Sequence, residues 1–249
     1  MEKEPLVIEN IVKEKTTSGC YRVAALIEGE EVWFESNLDL VASPEAFLSA
    51  FLLPAMKSGR PLQSSHAVDP VWHNNMDAIQ GFFHKWWGYE QIRIESPVST
   101  SPVNRSEKKA VLFTAGVDSF YSLLRYPELI DAVLFVEGMD IPLADPDYRA
   151  YVRQHVQKIA SERGVEFYNV RTNLREHSLF RTVDYTSSHG AALTACAHIL
   201  TKHLGHLIVN SSSILEHDVP VGTHWDTDTL WARSTLPVER WGRQTRRWT

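Results

Sequence analysis

The stretch from Lys108 to Leu124 constrains the fold more tightly than any other part of the chain. Ala110-Val111-Leu112-Phe113 is a short unbroken apolar run behind two lysines. Such a run suits a strand buried on both faces of a parallel sheet, where neither face meets water. Thr114 to Ser119 then supply small side chains and one glycine, and Phe120-Tyr121-Ser122-Leu123-Leu124 continue as a helix. Strand, small-residue turn and helix in that order let backbone N–H groups converge at the helix N-terminus. Unpaired amides and the helix dipole both favour an anion there. Asp118 lies in the same turn and repels a phosphate unless a divalent cation bridges the two. Ser119 adds a hydroxyl donor. The loop reads as a phosphate-binding site; the alternative is an ordinary strand–turn–helix with Asp118 as a helix N-terminal acid. No GxxxxGK[ST] or GxGxxG sequence competes with it.

Strand and helix signals alternate after this loop. A strand is predicted over 132–136, then a helix opened by Asp145-Pro146-Asp147 and stopped at Gly164. A strand over 165–170, a helix over 190–204 and a strand over 206–210 follow. Repeated βα units predict a parallel sheet with helices on both faces and ligands beyond the carboxyl ends of its strands. The first hundred residues differ. Strands over 21–27 and 31–35 join through Glu28-Gly29-Glu30 as a hairpin, and Ser43-Pro44-Glu45 opens a helix. A second helix over 71–87 and a strand over 91–94 complete that unit. The expected architecture is α/β: a small α+β N-terminal domain (1–100), a Ser/Pro-rich linker, and a parallel-sheet α/β domain (108–249).

Thr114-Ala115-Gly116-Val117-Asp118-Ser119 resembles the Ser-Gly-Gly-x-Asp-Ser signature of the PP-loop ATP pyrophosphatases. That superfamily includes the ATPase domains of GMP synthetase and asparagine synthetase, and 7-cyano-7-deazaguanine synthase. The resemblance covers about residues 108–230. It implies a Rossmann-like, HUP-type domain that binds ATP and Mg²⁺ and cleaves ATP between the α and β phosphates. An AMP-forming ligase of this kind adenylates a carboxylate, amide or carbonyl oxygen, and a nitrogen nucleophile then displaces AMP. The implied roles are loop amides from Thr114 to Ser119 on the phosphates, Ser119 as a donor, and Asp118 holding Mg²⁺. Phe135 and Val136, at the end of the second strand, are implied to contact adenine through their backbone. Thr114 keeps the hydroxyl of the signature serine. Ala115 departs from the pattern, placing a methyl where glycine lets the backbone approach phosphate with φ > 0. Some relatives continue into a helical or Cys-rich metal-binding segment, so this chain is expected either to lack one or to be a fragment.

Other candidates follow from the expected crevice. Ser212, in Asn210-Ser211-Ser212-Ser213 after the last strand, offers a hydroxyl to phosphate or substrate, though Ser/Asn clusters also form plain loops. His189 precedes an Ala-rich helix, as an acid–base group or as a packing residue. His224 and Asp226 lie in Gly222-Thr223-His224-Trp225-Asp226-Thr227-Asp228, a polar and aromatic stretch that either contacts substrate or forms a solvated turn. Six of the eleven histidines fall between His189 and His224, without the spacing of a zinc site. The arginines and tryptophans after Arg233 read as packing with a solvated face.

A net charge of −6 gives no field toward nucleic acid or anionic membrane. Two distant cysteines, Cys20 and Cys196, fit a reducing compartment. The N-terminus lacks a signal-peptide core, and the most apolar segment is too short to span a bilayer. A soluble cytoplasmic protein acting on a small-molecule or peptide substrate is expected, with a homodimer left open. Two further readings stay open: a thiolation enzyme with Cys196 or Cys20 carrying sulfur, and a degenerate domain that binds nucleotide without chemistry.

Overall fold

A computed structural model describes residues 3–99, 105–211 and 219–242. Among them, ten strands form one mixed, mostly parallel sheet, flanked by five α-helices. The arrangement is α/β and compatible with a Rossmann-like fold. In chain order the strands are β1 Leu6–Lys15, β2 Tyr21–Ile27, β3 Glu30–Ser36, β4 Leu62–Ser64, β5 Ile94–Glu95, β6 Lys109–Leu112, β7 Ala132–Glu137, β8 Glu166–Thr172, β9 His206–Asn210 and β10 Val238–Trp241. The helices are α1 Pro44–Ser58, α2 Pro70–Trp87, α3 Val117–Arg125, α4 Pro146–Arg163 and α5 Tyr185–His198.

Across the sheet the order is β10-β9-β6-β7-β8-β3-β2-β1-β4-β5. The five strands from β6 onward are all parallel and, numbered within themselves, run 3-2-1-4-5. The chain winds outward from β6 through α3 to β7 and α4 to β8, then crosses by α5 to β9 on the other side of β6. The winding reverses between β6 and β9, and this is the place where open α/β sheets bind ligands. The N-terminal strands do not form a second sheet. β3 pairs antiparallel with β8 through Phe34 opposite Thr172 and Glu35 opposite Arg171, and one apolar core runs from Leu6 through α1 and α5 to Val238.

Alternation assigns the faces. Ala110, Leu112 and Leu134 join the core shared with α1 and α5. Val111, Phe113, Val133, Phe135 and Ile208 join the second core, under α3 and α4. β6 and β7 are therefore buried on both faces, as their unbroken apolar runs require.

The predicted elements appear, except that β4 was not expected, the strand expected over 91–94 is reduced to Ile94–Glu95, and three further differences stand out. β1 was not expected: its four charged residues mask a strand interrupted at Asn10, where φ is 50° and the pairing with β2 shifts register. β10, also unexpected, adds in parallel to β9. α5 starts at Tyr185, ahead of the expected 190, because the Asp184 carboxylate accepts from Thr186 N at 2.7 Å and caps a segment that reads as polar loop. No described helix is long and apolar enough to cross a membrane.

Candidate functional site

The loop between β6 and α3 sits beside the reversal of winding. β6 pairs with β7 as far as Leu112 opposite Leu134, and Phe113 N extends the ladder by donating to Leu134 O at 2.9 Å. The chain then turns through Thr114, Ala115 and Gly116 into α3. Ala115 has φ 59°, in the left-handed region. The backbone there adopts a conformation that glycine takes freely, and alanine occupies it under strain. Gly116 is extended and exposed at the helix N-cap, and the first-turn amides of Val117, Asp118 and Ser119 have no carbonyl within their own helix to reach.

The side chains divide. Thr114 is exposed and Asp118 half-buried in the first turn of α3. Ser119 is buried, and its hydroxyl donates to Gly116 O at 2.8 Å. A hydroxyl has one proton, so Ser119 braces the turn here and must rotate to serve a phosphate. Phe135 and Val136 are both buried, Phe135 against Phe167 with ring centroids 6.3 Å apart. Only their main chain can meet a ligand. Val136 lies two residues past the end of the β6–β7 ladder, so by strand alternation its main-chain groups on the β6 side point into the crevice. Asn210, ending β9, donates from Nδ2 to Leu112 O at 2.7 Å and ties the two strand ends together. That bond fixes the amide and leaves its buried Oδ1 without a donor among the described residues.

A cavity of about 500 Å³ opens at the carboxyl ends of β7 and β8. Gly138, Met139 and Leu143 form one wall, Phe180 and Tyr185 another, and Arg175 lines the rim. Arg175 donates to Met139 O at 2.6 Å and lies over the Tyr185 ring at 4.1 Å. Tyr185 in turn donates to Asp140 Oδ1 at 2.8 Å, and burial raises its pKa, so the phenol stays a donor. An apolar pocket with a held guanidinium at its mouth suits a flat, polar-edged ligand.

His189 stands one turn into α5. Its Nδ1 lies 3.2 Å from Tyr185 O and its Nε2 3.3 Å from Thr223 Oγ1, which assigns the proton to Nδ1. Burial lowers its pKa, so it is neutral near pH 7. The segment around Thr223 docks because two glycines allow it: a Cβ on Gly190 would lie 1.7 Å from Gly222 O, and Gly222 N donates to Thr186 O at 2.6 Å.

His224 is buried against Trp86 at a ring separation of 4.5 Å, and its Nδ1 accepts from Asp226 N at 3.1 Å. It holds a turn, with the Asp226 side chain exposed outside it. The structure thus brings His189 to the residue preceding His224. Ser212 lies outside the described residues. Arg233, half-buried, and Arg240, buried, are ion-pair partners of Glu45 and Asp228, at 3.1 and 2.9 Å. Arg240 also donates to Ser211 Oγ at 3.1 Å and lies over Trp225 at 4.9 Å. Cys196 is fully buried and burial pushes its thiol pKa up, which opposes a sulfur-carrying role.

Sequence reasoning missed Arg175 and Tyr185, and placed Asp140 at the crevice without its partner. Their partners lie far along the chain, and only the fold joins them; the available signal was Asp140, which follows the second strand at the expected crevice. No protein-family model matches the chain, and neither a curated protein nor a solved structure matches it.

Proposed function

We propose that the chain binds ATP with Mg²⁺ at the loop from Thr114 to Ser119, as an ATP pyrophosphatase that forms AMP esters of a substrate oxygen. The observation that carries the reading is the loop's position: an anion-receptive helix start, beside the reversal of winding, with residue 115 in a left-handed conformation. Two further features support it. Asn210 Oδ1 is a buried acceptor without a donor among the described residues at the same strand ends, and a cavity of about 500 Å³ begins at Gly138, two residues past Val136.

The residues fit the roles. Amides of the first α3 turn and Gly116 receive the β and γ phosphates. Asp118 would hold Mg²⁺, a cation bound through one or two carboxylates together with substrate phosphates. A cation held there would supply charge neutralisation for the departing pyrophosphate. Main-chain groups of Val136 meet the adenine edge. The protein's part is positioning and electrostatic stabilisation: the substrate oxygen attacks the α-phosphorus, pyrophosphate leaves, and a nitrogen nucleophile later displaces AMP. The acceptor is a small molecule or peptide. A second reading, nucleotide binding without turnover, draws on Ala115 and on the Ser119 hydroxyl already engaged by Gly116 O.

Calorimetry with an ATP analogue bearing an uncleavable α–β bridge tests the reading, with Mg²⁺, on intact protein and on Asp118→Ala. Binding that the substitution abolishes is expected. Equal binding by the variant, or none by folded wild type, refutes it.

A further inference from the structure

The cavity of about 500 Å³ at the ends of β7 and β8 has a floor and a rim of different character. Met139, Phe180 and Val183 form the floor and are buried in the protein's own core. They give the cavity its shape and offer little surface to a ligand. Lining residues with surface to offer are Pro142, Leu143 and Ala144, from the loop between β7 and α4, and Tyr185. That loop is held in place: Gly138 N donates to Ile141 O at 2.7 Å, and a Cβ on Gly138 would lie 1.8 Å from Thr172 O. The apolar wall is therefore formed before any ligand arrives.

Arg175 lines the same cavity from the helical turn Leu174–Glu176 that follows β8, and its side chain is exposed. A guanidinium carries five N–H donors. The protein engages one, from Nη1 to Met139 O at 2.6 Å, and places the group over the Tyr185 ring at 4.1 Å. No carboxylate pairs with Arg175. The nearby acids are otherwise placed. Asp140 accepts from the Tyr185 hydroxyl, Asp184 caps α5 by accepting from Thr186 N, and Glu176, exposed on the rim, makes no hydrogen bond to Arg175 among the described residues. Arg181 donates from Nε to Arg175 O at 2.9 Å and steadies the turn that carries the guanidinium. A carbonyl and a ring thus hold the group while most of its N–H edge stays open, the arrangement that receives a carboxylate through two parallel bonds.

We infer that this cavity is a ligand site for an apolar monocarboxylic acid, with the carboxylate on Arg175 and the apolar body against Pro142, Leu143 and Tyr185. One open guanidinium with Glu176 beside it favours a single negative charge over the two of a phosphate monoester or a dicarboxylate. The volume admits a phenyl ring on a short chain. The inference goes beyond the nucleotide reading and stands without it: none of these residues belongs to the loop from Thr114 to Ser119, and binding is measured without nucleotide.

NMR titration of the full chain with 3-phenylpropionate tests the site, following Arg175 Nε–H and the main-chain amides of residues 139, 140, 141, 143 and 144. Saturable shifts there are expected, with Kd in the millimolar range or below. The neutral 3-phenylpropionamide, alike in shape, binds at least ~10-fold more weakly, because it forfeits the charge-assisted pair. Acetate, which lacks the apolar body, binds at least ~5-fold more weakly. Arg175→Lys keeps the charge but loses the fork, and should weaken the acid by ~5-fold. Leu143→Ala should weaken it by ~3-fold while leaving the Arg175 contacts in place. Both side chains reach the surface, and each variant tests the site if the other fails to fold. Absence of saturable binding by 3-phenylpropionate overturns the inference. So do shifts confined to other parts of the chain, equal binding by the amide or by acetate, and undiminished binding in the folded variants.

Discussion

Replacing Ala115 with glycine isolates the strain in the phosphate loop. An L-residue in the left-handed region costs ~1–2 kcal/mol, and Ala115 at φ 59° bears that penalty. Glycine removes it, but its wider unfolded ensemble takes back ~0.5–1 kcal/mol. The lost methyl is partly buried against the core under α3 and α4, and at ~0.8 kcal/mol for a fully buried methylene it takes back about 0.4 more. The balance is near zero to slightly stabilising, about +0.3 kcal/mol. Ala78, exposed in the interior of α2, supplies the contrast: Ala78→Gly loses ~1 kcal/mol with no strain to relieve. Urea unfolding of both variants, compared as midpoints at a shared m-value, should separate them by roughly 1–1.5 kcal/mol. Ala115→Val should fall well below wild type, since a β-branched side chain tolerates φ > 0 worse than alanine does. If Ala115→Gly loses as much as Ala78→Gly, residue 115 is not left-handed and the argument from the loop's backbone fails.

Arg240→Met leaves Asp228 charged and buried, and should cost ~3–5 kcal/mol in chemical denaturation, whereas Arg240→Met/Asp228→Leu recovers most of it. Glu137→Leu strands two guanidiniums and should cost about 3 kcal/mol by the same assay; near-neutrality would mean that Glu137 is not their shared acceptor. The ammonium groups of Lys13 and Lys202 hydrogen-bond the Asp39 carboxylate and hold its pKa down to about 2. A depressed carboxylate contributes stability above its unfolded pKa of ~4. That contribution is lost as pH falls toward 2, so Asp39→Asn should flatten the acid limb of the stability curve over this window, with the carboxyl titration followed by NMR. Gly190→Ala forces a methyl into Gly222 O. It should release the segment around Thr223 from α5, read as faster amide exchange at Gly222.

Much of this fold was legible because its local signals agree. α4 begins at Asp145-Pro146 and ends at Gly164, which is left-handed at φ 69°, and β6 and β7 carry the continuous apolar runs of strands buried twice. β1 was illegible because its charged residues sit on an open face and its bulge breaks the alternation. β4 and β10 span three and four residues, too few for a period to show. In the candidate site the loop could be read, since its chemistry is contiguous. The guanidinium of Arg175 could not: what makes it a site residue is Met139 O and the Tyr185 ring, and nothing near residue 175 points to either. Nor did local sequence show that Arg240 would bury its charge on Asp228.

The seam between β3 and β8 has a consequence for the order in which this chain is made. Every residue of α1 from Pro44 to Met56 is buried, and the helix packs on α5, which leaves the ribosome more than a hundred residues later. Until then α1 has no α5 beside it, Phe51 has neither His177 nor Phe180 against its ring, and the open edge of β3 waits for Arg171 and Thr172. An unpaired strand edge beside an uncovered apolar helix is the pattern that chaperones recognise on nascent chains. The first hundred residues are thus the part of this protein most dependent on protection during synthesis, and the arrival of β8 and α5 ends that dependence.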